Sequence, residues 1–101
     1  MANPPERQIT ARITVDQQGD GAFRVTVDEG GSRSSHTVRL SAADWQRLTS
    51  GAASEKQLIL YSFQFLLERE PKESILPEFD LTVISRYFPE YEQAMRRRIP
   101  R

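Results

Sequence analysis

Ile9-Thr10-Ala11-Arg12-Ile13-Thr14-Val15-Asp16, Phe23-Arg24-Val25-Thr26-Val27-Asp28 and Ser35-His36-Thr37-Val38-Arg39-Leu40 decide the fold. In each, apolar and polar residues alternate, the period of a strand with one face buried and one in water. The links are short and rich in turn formers, Gln17-Gln18-Gly19-Asp20-Gly21 and Glu29-Gly30-Gly31-Ser32. Glycine reaches positive φ without a Cβ clash, which tight hairpins require. Short links between consecutive strands predict a three-stranded antiparallel meander with one greasy face.

The period changes at Ser41. Ser41-Ala42-Ala43-Asp44 has the form of an N-cap with an acid three residues on, so a short helix is expected, with Trp45 and Leu48 facing inward and a stop at Gly51. Ser54, with Gln57 three residues later, opens a second helix over about residues 55–69. Its run Leu58-Ile59-Leu60-Tyr61-Ser62-Phe63-Gln64-Phe65-Leu66-Leu67 is apolar around most of its circumference. Such a helix is either central and buried or turns a second face to a partner. On the second option, Leu60, Phe63 and Leu67 are the candidate interaction surface.

Residues 74–79 read as an ordered loop packed on the core. Asp80 caps a short helix over Leu81 to Tyr87, which must yield before Pro89 because a residue preceding proline avoids the α region. Pro89 suits the first position of a last helix, Glu90 to Arg98, with acids at its start and arginines at its end matching the helix dipole. The expected class is α+β: a three-stranded meander followed by three to four helices packed on one face. The chain forms one domain over residues 1–101, with residues 1–6 a tail. The expected core contains Ile9, Ile13, Val15, Phe23, Val25, Val27, Val38, Leu40, Trp45, Leu48, Leu58, Tyr61, Phe65, Leu66, Val83, Ile84 and Phe88.

Bulk properties narrow the function classes. With 38% apolar and 28% charged residues, the composition is that of a globular chain. Its 14 basic and 14 acidic side chains cancel, so no global field draws nucleic acid or anionic lipid. No apolar run approaches the roughly 18 residues of a membrane-crossing helix, and the N-terminus lacks the features of a secretory signal. The absence of cysteine removes thiolate chemistry and suits a reducing, cytoplasmic setting.

Enzymatic chemistry finds little to use, and the expected catalytic, metal and cofactor sets are empty. The one histidine, His36, sits in the apolar phase of a strand, where a tucked-in structural role is expected. No nucleophile elbow or phosphate-binding glycine loop is present. Asp16, Asp20, Asp28 and Glu29 lack the ligand spacing of a calcium loop and are explained by turn chemistry. Glu68, Glu70, Glu73 and Glu78 read as a solvated acidic loop, and Arg96-Arg97-Arg98 as a helix end that favours cations.

The wet sheet face is the second candidate. Arg12, Arg24, Thr26, Thr37 and Arg39 share it, and guanidinium and hydroxyl groups are the ones that grip phosphate oxygens. No aromatic is interleaved there for base stacking.

Two stretches resemble known families. Thr37-Val38-Arg39-Leu40-Ser41, with Asp44-Trp45-Gln46-Arg47-Leu48, a glycine break and a greasy helix, resembles a ribbon-helix-helix unit. That resemblance implies that Thr37 and Arg39 read a DNA groove from a dimeric ribbon. Glu68-Arg69-Glu70-Pro71, Glu73-Ser74-Ile75-Leu76 and Phe79-Asp80-Leu81, with Val83-Ile84 and Tyr87-Phe88-Pro89-Glu90-Tyr91, resemble the C-terminal signature of small uncharacterised bacterial proteins. This second resemblance brings no activity; read locally, Ile75, Leu76, Phe79, Val83, Ile84, Tyr87 and Phe88 are expected to anchor a folded C-terminal cap, most of them in the core. The leading expectation is a non-catalytic protein-interaction protein, an adaptor or a homodimer, whose partner is another protein or a second copy. The alternative is nucleic-acid binding through the Arg/Thr face or the ribbon-helix-helix-like unit.

Overall fold

The computed structural model describes residues 10–100. Ile9 and the expected tail therefore lie outside the described residues. The three alternating segments form β1 (Arg12–Gly19), β2 (Ala22–Glu29) and β3 (Ser32–Arg39), paired antiparallel in sequence order. Gly30 and Gly31 both have positive φ, 64° and 79°, in a two-residue hairpin loop. That conformation matches the right-handed twist of the strands it joins and needs glycine or asparagine. At the other end of the sheet, Gly21 has φ +69° and a Cβ built there would lie 2.9 Å from the Leu40 carbonyl. Its own carbonyl accepts from the Leu40 amide at 2.8 Å, so the end of β3 is zipped against the first hairpin.

Helices α1 (Ala42–Thr49) and α2 (Glu55–Leu67) follow. Ser41 Oγ accepts from the Asp44 amide at 3.1 Å. α2 opens with the complete capping box: Ser54 Oγ accepts from the Gln57 amide at 3.1 Å, and Gln57 Oε1 accepts from the Ser54 amide at 2.9 Å. Of the two readings of the greasy helix, the central one holds. Leu58, Ile59, Phe63, Phe65, Leu66 and Leu67 are all buried, with the sheet on one side and α4 (Tyr91–Arg98) on another. α4 meets α2 at a buried polar contact, where Tyr91 Oη lies 2.6 Å from Ser62 Oγ.

The sheet differs from the expected three strands. A fourth, β4 (Glu78–Asp80), pairs parallel to β3 in the order β1-β2-β3-β4, so the sheet is mixed. A parallel neighbour needs a long crossover, and α1 and α2 supply it. The Thr37 amide donates to the Pro77 carbonyl at 2.8 Å just ahead of the paired residues. Asp80 then caps as expected, accepting from the Thr82 amide at 3.0 Å. The chain continues as a 3-10 turn (Leu81–Val83) into the short α3 (Ile84–Tyr87).

The core extends further toward the C-terminus than expected. Ile75, Phe79, Leu81, Tyr91, Met95 and Ile99 are buried with the predicted strand and helix residues. Ile13, Val15, Trp45, Tyr61, Val83 and Phe88 are only half-buried. For Ile13 and Val15 the reason is position, since β1 is the outer strand of the sheet.

Candidate functional site

The C-terminal end of α2, the loop ahead of β4, β4 itself and α3 enclose an apolar groove of about 310 Å³. Leu66, Ile75, Phe79 and Ile84 form its buried floor. Val83 and Phe88 line it as half-buried residues packed against the core. The lip is made by the two large apolar side chains that stand most clear of the core, Leu76 at 43% exposure and Tyr87 at 66%. Polar groups are few: Glu70 and Ser74 complete the lining. Partial burial raises the Glu70 carboxyl above its ordinary range, because a charged carboxylate loses hydration beside apolar walls. This is the composition of a site that takes an apolar group and orients it with one or two polar contacts.

His36 lies behind the groove, not in it. Nδ1 is 2.8 Å from the Leu76 carbonyl, and Nε2 is 2.8 Å from Ser34 Oγ. A carbonyl only accepts, so Nδ1 carries the proton and Nε2 accepts from Ser34. Both ring nitrogens are committed, and the ring packs on Phe63 with centroids 5.4 Å apart. Burial lowers the His36 pKa, against a smaller opposing effect from the Leu76 hydrogen bond. The neutral imidazole is a tie between β3 and the groove loop.

The interaction surface expected on α2 is corrected. Phe63 and Leu67 are fully buried, and Leu60 is partly buried. Phe63 is held between His36 and Phe79, its ring 6.1 Å from that of Phe79. α4 covers the helix on one side, and β4, through Phe79, supplies the neighbour that the expectation left missing.

On the wet sheet face, Arg12, Arg24 and Arg39 are exposed, and Thr26 and Thr37 are half-buried beside them. Register sets acids among the arginines. Arg12 stands opposite Asp28, and Asp16 opposite Arg24. Arg39 contacts Glu78 at 2.6 Å, and Arg33 contacts Asp28 at 2.7 Å. The face is a pattern of alternating charge, not a basic patch. β3 has β2 on one side along its length and β4 on the other at Thr37–Arg39, so Thr37 and Arg39 already have a neighbouring strand.

Parts of the remaining charge runs are tied into the surface. Arg98 bonds Glu68 at 2.6 Å, and Lys72 bonds Glu73 at 2.7 Å. Arg69 reaches Glu90 at 3.2 Å and sits 3.6 Å over the Phe65 ring. Among the described residues, no cluster of three or more His, Cys, Asp or Glu is arranged to hold a metal ion, and no helix is long and apolar enough to cross a membrane.

The groove residues were visible in the sequence only as anchors of a C-terminal cap. Nothing separated the floor residues from Leu76 and Tyr87, because that division depends on β4. Searches of protein-family models, of curated proteins and of solved structures gave no match.

Proposed function

We propose that this chain is a non-catalytic protein-interaction module of the cytoplasm. It acts as an adaptor, taking an apolar side chain of a partner protein into the groove between α2, β4 and α3. The observation that carries the reading is the exposed pair Leu76 and Tyr87 at the lip of a groove with a buried apolar floor. Large apolar side chains left in water beside a preformed cleft mark interaction sites. Glu70 in the lining adds a charge preference: a basic residue next to the partner's apolar anchor meets a carboxylate that burial has made costly to leave charged and alone. The non-catalytic part rests on His36, whose two nitrogens are both occupied, and the cytoplasmic part on the absence of cysteine.

The test uses Leu76→Glu and Tyr87→Glu. Both positions are exposed, so the melting temperature stays near that of the parent while specific co-purification of the partner from host cells is lost. Unchanged recovery of the same partner from both variants would place binding elsewhere. The nucleic-acid reading ranks second because each arginine on the sheet face has an acid beside or opposite it. Labelled oligonucleotides are expected to show no affinity that falls with salt. Steep salt dependence, weakened by Arg12→Ala, Arg24→Ala and Arg39→Ala, would reverse that order.

A further inference from the structure

β1 is an outer strand of eight residues, Arg12–Gly19, and among the described residues only β2 pairs with it. It has no proline and no lysine, and its one irregularity of register lies at its far end, between Gln17 and Gly19, so the stretch Arg12–Gln17 keeps a regular edge. Its inner-face residues Ile13 and Val15 are only half-buried, so the dry face stops short at this strand.

The direction of its free backbone groups follows from the hairpins. In the two-residue Gly30–Gly31 turn the closing pair, Glu29 and Ser32, is hydrogen-bonded. Alternation from that pair turns the backbone groups of Arg24, Thr26 and Asp28 toward β1, where they meet Asp16, Thr14 and Arg12. The N–H and C=O groups of Ile13, Val15 and Gln17 therefore point outward, with no pairing strand among the described residues.

We propose that β1 is the interface of a two-fold homodimer in which β1 pairs antiparallel with β1 of a second copy about an axis at Thr14. Only pairings that put odd residues opposite odd ones keep each face on its own side of the joined sheet. Among these, centring on Thr14 sets Arg12 against Asp16 of the copy and Asp16 against its Arg12. It also sets Ile13 against Val15 in both directions, with their outward backbone groups exchanging hydrogen bonds. A centre at Ile13 or Val15 breaks both charge pairs. The charge row then runs unbroken across the axis: Arg33, Asp28 and Arg12 in one copy, then Asp16 and Arg24 of the other. Such self-complementarity is what a closed two-fold interface demands. This interface is separate from the groove, and either can fail without the other.

The chain has no cysteine, which makes the register directly readable. Thr14 faces its own copy in a non-hydrogen-bonded pair, where Cα atoms lie about 4.5 Å apart, within the range a disulfide spans. Under mild oxidation Thr14→Cys is expected to crosslink to near completion. Arg12→Cys, about 13 Å from its own copy at a rise of ~3.3 Å per residue, is expected not to. Light scattering should give twice the 11.6 kDa chain mass. Arg12→Asp and Asp16→Arg should each be monomeric alone and form a dimer when mixed, which also shows that both fold. A parent chain that stays monomeric overturns the proposal. So does a dimer that survives in both charge variants, or one that Thr14→Cys does not crosslink.

Discussion

Removing the Ser62–Tyr91 contact one side at a time, then both together, measures how α4 is held to the rest of the fold. Tyr91 is fully buried, and its hydroxyl lies 2.6 Å from Ser62 Oγ. Ser62 Oγ also donates to the Leu58 carbonyl at 2.7 Å, which commits its proton, so Tyr91 donates and Ser62 accepts. Burial pushes the Tyr91 phenol well above its ordinary range, so it keeps that proton at any working pH. Ser62→Ala strands a hydroxyl donor in a dry core, at a cost of about 1–3 kcal/mol. Alanine's better helix propensity returns roughly 0.5 kcal/mol of this. Tyr91→Phe removes the donor itself and leaves Ser62 still bonded to Leu58, for a loss of about 1 kcal/mol. The double variant strands nothing, so it should be no less stable than Ser62→Ala alone. The expected coupling is about 1–2 kcal/mol, of the size found for contacting residues. Urea denaturation resolves it, since a m-value of ~1–3 kcal/mol/M turns 1 kcal/mol into a midpoint shift of about 0.3–1 M. Losses that add to within roughly 0.3 kcal/mol would refute the reasoning, because the hydroxyls would then not share a proton.

Gly21→Ala is expected to cost about 2 kcal/mol or more by the same assay, since it combines positive φ with a 2.9 Å approach to the Leu40 carbonyl; a loss under ~0.5 kcal/mol would mean the hairpin relaxes freely. Phe63→Ala should cost roughly 3–5 kcal/mol as a core truncation, whereas Tyr87→Ala, at 66% exposure, should stay within about 0.5 kcal/mol; the reverse order would return the interaction surface to α2. His36 is held neutral with a lowered pKa, so the unfolded chain takes up a proton first as pH falls. Stability should then decline from about pH 6.5 downward until the native ring also protonates, and be flat in that group above pH 6.5. His36→Asn is expected to lower stability while abolishing that part of the slope, and an unchanged slope in the variant would assign it to carboxylates instead.

The meander and both helix caps were legible because their signals are local. Alternation in residues 11–16 and 23–28, glycines at the turns, and the Ser54–Gln57 pair each act within a few residues. β4 was not. A strand of three residues, Glu78–Asp80, is too short to display a period, and its pairing is decided by an edge of β3 some forty positions earlier. The misreading of Phe63 and Leu67 has the same root. A helix apolar around its circumference announces that it needs neighbours; the C-terminal helices are legible as one cover, which α4 supplies with Tyr91 and Met95 buried, whereas β4, whose Phe79 packs on Phe63, is not. Parity places the arginines on the wet face, but the acids set against them, Asp16 opposite Arg24 and Asp28 opposite Arg12, are a property of register that the strand sequences do not show one by one.

The parallel pairing of β3 with β4 also governs the order in which the molecule assembles. The His36–Leu76 and Thr37–Pro77 links close across 40 residues, while the meander closes through tight turns. Non-local closure costs more chain entropy before any contact returns it, so the hairpins form early and β4 docks late. An element that docks late through three residues is also the first to open in the native state, and its amides should exchange well before those of β2. Leu76 and Phe79 leave with it, so the groove exists only while β4 is docked. A partner that fills the groove thus closes the last step of folding, and its affinity includes the free energy of holding that step shut.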